Sequence, residues 1–247
     1  MINAVTFDLW FTLIYSDAEL EEYYRETRLS AIAQGFSSFG IKISIDDAKN
    51  LLYLAKKEIK RSKKDFYEIH PKKILNIMAN NLELSISENE LSIIARKFCD
   101  AGFDKPPYLN KEARKTLEIL REMKLKIGLI TNVSRDEEAY NMMLRKLDII
   151  KYFDVISLSS ELGFAKPKKE IFEFTLKKLN VLAKEAIHVG DTYEHDIIGA
   201  INAGMNSILY KGLFKEYEDA RGVKRRNDYD VLTVNDLREI PKLISKL

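Results

Sequence analysis

Four short polar segments each follow an apolar run, and their side chains could do chemistry if the fold brought them together. Asp8 follows VTF, Thr131 and Asn132 follow IGLI, Lys166 lies in the loop GFAKP, and Asp191 and Asp196 follow HVG. A carboxylate can act as a nucleophile or as a metal ligand. A hydroxyl or an exposed backbone N–H at a strand end can hold anionic oxygens. The residue types therefore suggest nucleophilic or metal-assisted chemistry on an anionic compound.

All of these residues except Asp191 also have a structural explanation when taken alone. An Asp that ends a strand is usually a turn or cap residue, and Thr131-Asn132 or Asp196 could cap the helix that follows. Asp191 has no such explanation. Lys166 stands at a helix entrance, where the helix dipole disfavours a cation, and Pro167 is expected to open that helix. This placement favours a functional lysine over a solvated surface charge.

The segment GDTYEHD holds two carboxylates, Asp191 and Asp196, around a turn. Together with Asp8 they would supply hard oxygen ligands, which suit Mg²⁺ because this ion keeps several waters and takes few carboxylates. Gly190 would let the backbone approach closely. The segment therefore predicts a Mg²⁺ site.

The elements that must position these residues alternate along the second half of the chain. Strands are predicted over Lys126–Thr131, Val155–Leu158, Ala186–Val189 and Ser207–Tyr210, and helices over Lys111–Met123, Glu137–Leu147, Lys168–Leu179 and Asp196–Ala203. This alternation predicts an α/β fold with a parallel sheet covered on both faces. Right-handed crossovers then bring the carboxyl ends of the strands, with Asp8, Thr131 and Asp191, to one edge.

The chain between the first strand and this region has helical periodicity and no convincing strand. Helix starts are predicted at Asp17, at Ser44 or Asp46, at Pro71, and at Ser87 with Glu90 as a capping box. We expect a helical bundle over 16–104, inserted into a core made of 1–15 and 105–247. The tail is expected to hold a short edge strand and a helix that begins at Asn235 or Asp236.

Composition excludes several classes of partner. The 247 residues carry 40 Lys and Arg against 38 Asp and Glu, and a net charge of +2 gives no case for nucleic acid or an anionic membrane surface. The single cysteine, Cys99, excludes an internal disulfide. With no signal segment and no apolar run near the roughly 18 residues that span a bilayer, we expect a cytoplasmic protein. We separately expect a monomer or a homodimer.

Taken together and in this order, the four segments resemble the motifs of the haloacid dehalogenase-like hydrolase superfamily. The phrases YFDVISLSSELGFAKPKKEIF and HVGDTYEHDIIGAINAGM look much like the third and fourth motif regions of that family. The resemblance covers nearly the whole chain. It implies a Rossmann-like parallel-sheet core with an α-helical cap inserted after the first motif.

The resemblance also implies roles for the residues. Asp8 would be a nucleophile that attacks a small phosphorylated metabolite and forms a covalent aspartyl intermediate. The phosphoryl oxygens would be held by Thr131, the Asn132 backbone and Lys166. Mg²⁺ would lie between Asp8, the Trp10 carbonyl and Asp191, with Asp196 beside them.

One position departs from the family pattern. Family phosphatases usually carry an Asp two residues after the nucleophile as general acid and base, and here Trp10 stands there, with an indole that cannot shuttle protons. We therefore expect weak phosphatase activity unless His195 or Glu194 stands in, although His195 is better interpreted as a polar loop residue. One alternative is a metal-independent 2-haloacid dehalogenase. Another is a binding protein with a vestigial site, in which the Trp10 ring fills the substrate space.

Several other residues are interpreted as surface or core positions. Arg25 and Arg28 are expected on a solvated helix face, although an arginine there could meet a substrate carboxylate or phosphate. Cys99 is expected to be a small buried apolar residue. Solvated basic surfaces are expected at Lys56, Lys57, Lys60, Arg61, Lys63 and Lys64, and over Arg221 to Arg226.

Overall fold

A parallel sheet forms the centre of the molecule, which is a computed structural model that describes residues 1–62, 69–222 and 230–246. The strands are β1 Ala4–Phe7, β2 Ile14–Tyr15, β3 Tyr108–Leu109, β4 Lys126–Thr131, β5 Val155–Leu158, β6 Ala186–Gly190, β7 Asn206–Tyr210 and β8 Thr233–Val234. Six of them form one sheet in the order β5-β4-β1-β6-β7-β8, and all its pairings are parallel. β2 and β3 pair antiparallel as a separate ribbon. The predicted strands β4 to β7 match their observed bounds within one residue.

Helices before and between the strands complete the fold. They are α1 Ala18–Ser37, α2 Ile45–Ser62, α3 Pro71–Asn81, α4 Glu88–Asp100, α5 Ala113–Glu122, α6 Glu137–Lys146, α7 Ser159–Leu162, α8 Lys169–Leu179, α9 Gly199–Asn202, α10 Phe214–Arg221 and α11 Glu239–Ile244. Helices α1 to α4 follow one another between β2 and β3, where the sequence predicts a helical bundle.

Apolar side chains cover the sheet on both faces. Phe7 of β1 belongs to a buried cluster with Leu117 of α5 and Met143 of α6. Ala4, on the same strand, belongs to a second cluster with Phe172 of α8. Because residues along a strand alternate between its two faces, the sheet is a buried middle layer. The predicted α/β fold is confirmed.

Local side-chain caps begin the inserted helices where the sequence predicts them. The Asp17 carboxylate accepts a backbone N–H of the first turn of α1 at 2.8 Å. Ser44, not Asp46, caps α2, since its hydroxyl accepts a backbone N–H at 3.0 Å. Ser87 and Glu90 form the predicted capping box of α4. Such caps satisfy backbone donors that a helix start would otherwise leave unpaired.

The register of the central strands brings the polar segments together. The last residue of β1 pairs with Leu129 of β4 and with Val189 of β6. Asp8 follows β1 directly, and its backbone N–H donates to the Val189 carbonyl at 2.8 Å. Thr131 and Asp191 each lie two residues beyond those partners. All three therefore stand at the same carboxyl edge of the sheet, as predicted.

The helix predicted to begin at Asp196 begins earlier, and that prediction is wrong. Tyr193–Ile198 forms a π-helical turn that continues into α9. The Asp196 carboxylate accepts the backbone N–H of Thr192 at 2.8 Å, so its side chain closes the turn from within rather than capping a helix that follows.

The last helix also starts away from its predicted position at Asn235 or Asp236. The Glu239 carboxylate accepts the backbone N–H groups of both residues, at 3.2 and 3.0 Å. These bonds hold the segment in a turn, and α11 begins only at Glu239.

Several predicted surface positions can be checked. Lys56, Lys57 and Lys60 are exposed, as is Arg221, and Cys99 is buried as expected. The predictions for Lys63, Lys64, 223–226 and the Arg61 side chain lie outside the described residues. Within the part of the chain that the structure describes, the helices are too short or too polar to cross a membrane.

Candidate active site

Three buried carboxylates and one buried ammonium group meet at the carboxyl edge of the sheet. Asp8, Asp191 and Asp196 each offer a carboxylate oxygen, and these oxygens all lie within 4.8 Å of one another. Lys166 Nζ donates to Asp8 Oδ1 and to Asp196 Oδ1, each at 2.5 Å. Lys166 is only 2% exposed and Asp196 only 1%. The structure thus places these four predicted residues in one charged cluster.

The cluster splits the pKa values of its two lysine-bound carboxyl groups. Burial raises the pKa of Asp8 to about 6, although Lys166 partly offsets it. Burial also opposes ionisation of Asp196, but Lys166 and His188 outweigh it and hold the pKa of that carboxyl below its usual range. Desolvation and neighbouring charge therefore act in opposite directions. Asp196 stays ionised in the acid range in which Asp8 takes up a proton.

Asn132 fixes the backbone of the lysine loop. Its Oδ1 accepts the Lys166 N–H at 2.8 Å, and its Nδ2 donates to the Lys166 carbonyl at 2.9 Å. The Asn132 side chain is therefore used for positioning. Pro167 does not begin the next helix as predicted. It lies in a turn in which the Lys168 N–H donates to the Ala165 carbonyl at 3.0 Å, and α8 begins after this turn.

A buried histidine, which the sequence motifs did not identify, contacts Asp196. His188 Nε2 lies 3.3 Å from Asp196 Oδ1, and His188 Nδ1 lies 2.8 Å from the Thr6 hydroxyl. Burial lowers the pKa of His188, so the ring stays neutral at ordinary pH. A lone polar residue inside the otherwise apolar strand AIHVG is a signal that could have identified it.

Gly190 provides the space that Asp196 occupies. A Cβ on Gly190 would lie 2.3 Å from Asp196 Cγ and 2.5 Å from its Oδ2. Because side chains do not approach so closely, any larger residue here would displace the carboxylate. The close approach predicted for Gly190 is present.

Thr131 brings a buried hydroxyl to the wall of the cavity. The residue is 1% exposed, and its Oγ1 has no hydrogen bond to any residue in the described ranges. A buried hydroxyl normally finds a partner, so an unpaired one beside a charged cluster is an expected contact for a ligand oxygen. Thr131 therefore fits the predicted anion-binding role.

Trp10 lines the cavity above the cluster but does not fill it. The indole is half-buried, and its Nε1–H donates to the Tyr140 hydroxyl at 3.2 Å. The Trp10 ring also meets the Tyr24 ring edge-on, at 6.4 Å between centroids. A cavity of about 430 Å³ remains beside Asp8, which is large enough for a small ligand.

The cavity wall includes residues that the sequence analysis placed elsewhere. Arg28 is half-buried and lines the cavity, so its assignment to a solvated face is wrong, whereas Arg25 is exposed as expected. His195 lines the cavity from the π-helical turn rather than from a loop. Glu194 is exposed and is not part of the wall. Further lining residues are Glu21, Tyr24, Phe103, Arg135, Tyr140, Tyr217 and Arg221.

The donor set fits a magnesium ion. Carboxylate oxygens are ligands that Mg²⁺ prefers, and Asp8, Asp191 and Asp196 bring three such groups together at the edge of a water-accessible cavity. Three buried carboxylates at this separation repel one another, and Lys166 carries one positive charge against their three negative charges. A divalent cation would balance the remaining charge.

Known proteins resemble this chain along most of its length. A family model described as haloacid dehalogenase-like hydrolase matches residues 2–204. Glyceraldehyde 3-phosphate phosphatase from Methanocaldococcus jannaschii is 27% identical over 248 residues, spanning 100% of this chain and 99% of the relative. Ribulose-1,5-bisphosphate 5-phosphatase from Halopiger xanaduensis is 30% identical over 133 residues, spanning 52% of this chain and 55% of the relative.

Solved structures share the same fold. A 2-haloacid dehalogenase from Pseudomonas syringae pv. Tomato aligns with a TM-score of 0.72 and 23% identity, over 100% of this chain and 99% of the other. A phosphatase from Thermococcus onnurineus aligns with a TM-score of 0.60 and 22% identity, over 98% of both chains. At these identities the likeness concerns the fold and not the reaction.

Proposed function

The chain belongs to the haloacid dehalogenase-like hydrolase family, and we propose that it is a Mg²⁺-dependent phosphatase that uses Asp8 to attack a small phosphorylated metabolite. The family match over residues 2–204 confirms the resemblance drawn from the four motifs. The observation that carries the proposal is the cluster of Asp8, Asp191 and Asp196 within 4.8 Å of one another. Relatives named as phosphatases of small phosphorylated metabolites support it. The cytoplasmic location and the monomeric or homodimeric state stay predictions.

The proposed reaction has two steps, both at the phosphorus atom. The Asp8 carboxylate attacks phosphorus while the bond from phosphorus to the leaving alcohol oxygen breaks, which gives an aspartyl phosphate. Water then releases phosphate and restores Asp8. The Thr131 hydroxyl, the Asn132 backbone N–H and Lys166 would hold the phosphoryl oxygens. Phosphoryl transfer depends mainly on such positioning and charge stabilisation.

The metal would belong to the acidic cluster. Asp8, Asp191 and the Trp10 carbonyl would hold Mg²⁺, with Asp196 beside them. When bound, the ion would neutralise charge on the phosphoryl oxygens and the carboxylates. Lys166 keeps Asp196 ionised and draws Asp8 towards its reactive, ionised form.

Trp10 removes the usual proton donor for the leaving alcohol. General acid–base catalysis is worth about 10² to 10⁴ in rate, so substrates with poor leaving groups should react slowly. Of the two stand-ins considered from the sequence, His195 lines the cavity and Glu194 does not. His195 is therefore the better candidate.

Trp10 also favours a second candidate function, a 2-haloacid dehalogenase, because halide leaves carbon without needing a proton. The buried acidic cluster argues against it. A metal-independent enzyme would keep three buried carboxylates within 4.8 Å of one another, and Lys166 carries a single positive charge to set against them. The phosphatase is therefore the function that the site supports better.

The test compares two phosphate esters and one haloacid. Wild type should release phosphate from para-nitrophenyl phosphate with Mg²⁺ but not with EDTA, and Asp8→Asn should abolish the reaction. Trp10→Asp should raise the rate with glycerol phosphate, a poor leaving group, by about 10²-fold or more, and with para-nitrophenyl phosphate by less. Trp10→Asn is the matched control, since it makes the same space without a proton donor.

Opposite outcomes would overturn the proposal. Chloride release from 2-chloropropionate in EDTA, without phosphatase activity, would make the protein a dehalogenase. Phosphate release that survives in Asp8→Asn would show that another group carries the reaction.

A further inference from the structure

Two arginine side chains contribute to the wall of the cavity and have no carboxylate partner among the described residues. Arg28 comes from α1, and Arg135 comes from the segment before α6. Neither guanidinium has an ion-pair partner within 4.0 Å among residues 1–62, 69–222 and 230–246. Arg221, at the same cavity, differs because its Nη2 lies 3.1 Å from Glu21 Oε1. Cations withdrawn from water are normally paired, so buried Arg135 and half-buried Arg28 both need an explanation.

Arg135 has a structural role that fixes its position. Its Nη1 donates to the carbonyls of Cys99 and Ala101, at 2.7 and 2.5 Å, and so caps the C-terminal end of α4. Its guanidinium lies 3.9 Å from the centroid of the Phe103 ring. Burial, and then the charge of Arg28, lower the pKa of Arg135 to about 10. The residue therefore stays a fixed, buried cation at ordinary pH.

Arg28 lacks any comparable anchor. Its Nε donates to the Tyr24 carbonyl at 3.3 Å, and its Nη1 reaches the Ser134 hydroxyl at 3.4 Å, both long for hydrogen bonds. Both partners are neutral. Burial lowers the pKa of Arg28, while neighbouring Tyr140 and Glu21 act to raise it and Arg221 acts to lower it. A planar guanidinium with spare N–H donors is well suited to bind a carboxylate or phosphate through two bonds.

Arg28 lies in the same cavity as the phosphoryl site but not within it. Ser134, which it contacts, is three residues beyond Thr131 on the loop that leaves β4. Tyr140 lines the same cavity, and its hydroxyl accepts the Trp10 Nε1–H at 3.2 Å. One small ligand in a cavity of about 430 Å³ could therefore reach Asp8 with one end and Arg28 with the other.

Building on the proposed phosphatase function, we propose that Arg28 binds a second anionic group of the substrate, with buried Arg135 adding to the positive field. The substrate class is then a short phosphorylated compound that carries a carboxylate or a second phosphate. Phosphate esters of simple alcohols or sugars, which carry no second anionic group, would leave Arg28 without an anionic partner. The second anion would also separate true substrates from other phosphate esters, since a substrate without it would leave the half-buried, partly desolvated Arg28 guanidinium without an anionic partner.

Three ligands on one carbon skeleton test this inference. Glycerol 3-phosphate, 3-phosphoglycerate and glycerol 1,3-bisphosphate differ only in the group at the far end, which is a hydroxyl, a carboxylate or a phosphate. We expect wild type to prefer one of the anionic compounds in kcat/KM by about 10- to 100-fold, the effect of one charged hydrogen-bonded contact. The preferred compound identifies the second group as carboxylate or phosphate.

Arg28→Gln should remove that preference, and Arg25→Gln should retain it. Arg25 is the matched control because it lies one turn earlier on α1, is exposed, and pairs with Glu22. Arg28→Lys keeps the charge but loses the planar fork, so it should keep part of the preference. If Arg28 had a merely structural role, Arg28→Gln and Arg28→Lys would each lower kcat/KM by the same factor for all three substrates. That result would overturn the proposal.

A binding measurement separates this inference from the phosphatase proposal. Trp10 is the only tryptophan and lines the cavity, so its fluorescence can report ligand binding in Asp8→Asn with Mg²⁺ present. Tighter binding of the anionic ligands, lost in Asp8→Asn with Arg28→Gln, supports the anion site even if wild type shows no turnover. The anion site is refuted if wild type turns over substrate but Asp8→Asn binds all three ligands with equal affinity. It is also refuted if Asp8→Asn binds none of the three ligands.

Discussion

Replacing Lys166 by Met removes the ammonium group that lies 2.5 Å from both Asp8 and Asp196. Methionine keeps an unbranched side chain of similar reach, so the change is chiefly one of charge. Breaking a buried ion pair by removing one partner costs about 3–5 kcal/mol, because the other charge stays buried. Against a total unfolding free energy of about 5–15 kcal/mol, this is a large fraction of stability.

The loss should depend on pH in a defined direction. Lys166 is the main influence that lowers the pKa of Asp8 and of Asp196 against burial. Without it both pKa values rise. Such a carboxyl group has a higher pKa in the folded protein than its value of 3.8 in the unfolded chain. It stabilises the fold at pH values below 3.8, and this stabilisation is lost as the pH rises through the folded pKa. The variant should therefore be least stable relative to wild type near about pH 8, and the difference should shrink towards about pH 4.

The assay is urea unfolding in EDTA at several pH values, repeated with Mg²⁺. Lys169→Met is the matched control, since this nearby lysine is 55% exposed and pairs with Glu173 at 3.0 Å. An exposed pair of this kind is worth about 1 kcal/mol or less. Mg²⁺ should raise the unfolding midpoint of Lys166→Met more than that of wild type, because the variant site carries one positive charge fewer.

A variant as stable as wild type near about pH 8 in EDTA would refute this reasoning. It would mean that the carboxylates do not depend on Lys166 for their charge balance. A loss that stays constant across pH would point to packing instead of electrostatics.

Two further predictions concern Gly190 at the site and the buried Cys99 of α4. Gly190→Ala should displace Asp196, since the new Cβ would lie 2.3 Å from the Asp196 Cγ. The unfolding free energy should fall by about 1–3 kcal/mol, and the Mg²⁺ concentration needed for half-maximal turnover should rise. An unchanged Mg²⁺ requirement would contradict the placement of Asp196 beside the ion. Cys99 is buried, and burial raises the pKa of its thiol to about 12. A thiol reagent should therefore modify Cys99 only as fast as the folded protein opens. Rapid labelling of the folded protein would show that α4 is exposed in solution.

The acidic cluster could be predicted from the sequence because short-range signals determine it. Apolar runs mark the strands that end at Asp8, Thr131 and Asp191, and parallel pairing brings strand ends to one edge. No knowledge of side-chain packing is needed for that step. Lys166 followed from its place before a helix, although the Asn132 contacts that hold its loop did not.

The arginines of the cavity wall could not be predicted in the same way. Arg28 and Arg25 lie on one helix, three residues apart, and only the packing of α1 against the rest of the molecule decides which one faces solvent. Arg135 is buried because its guanidinium meets carbonyls at the end of α4, which lies 34 to 36 residues earlier in the chain. Such long-range contacts leave no periodic pattern in the sequence.

The most direct test of the account is to trap the covalent intermediate on Asp8. Wild-type protein would be mixed with Mg²⁺ and a hydrolysed phosphate ester, quenched in acid within one turnover, digested, and analysed by mass spectrometry. The account predicts one phosphoryl group on the peptide that contains Asp8, and none in Asp8→Asn. Sustained phosphate release with no phosphoryl group on Asp8, or with one on a different residue, would contradict it.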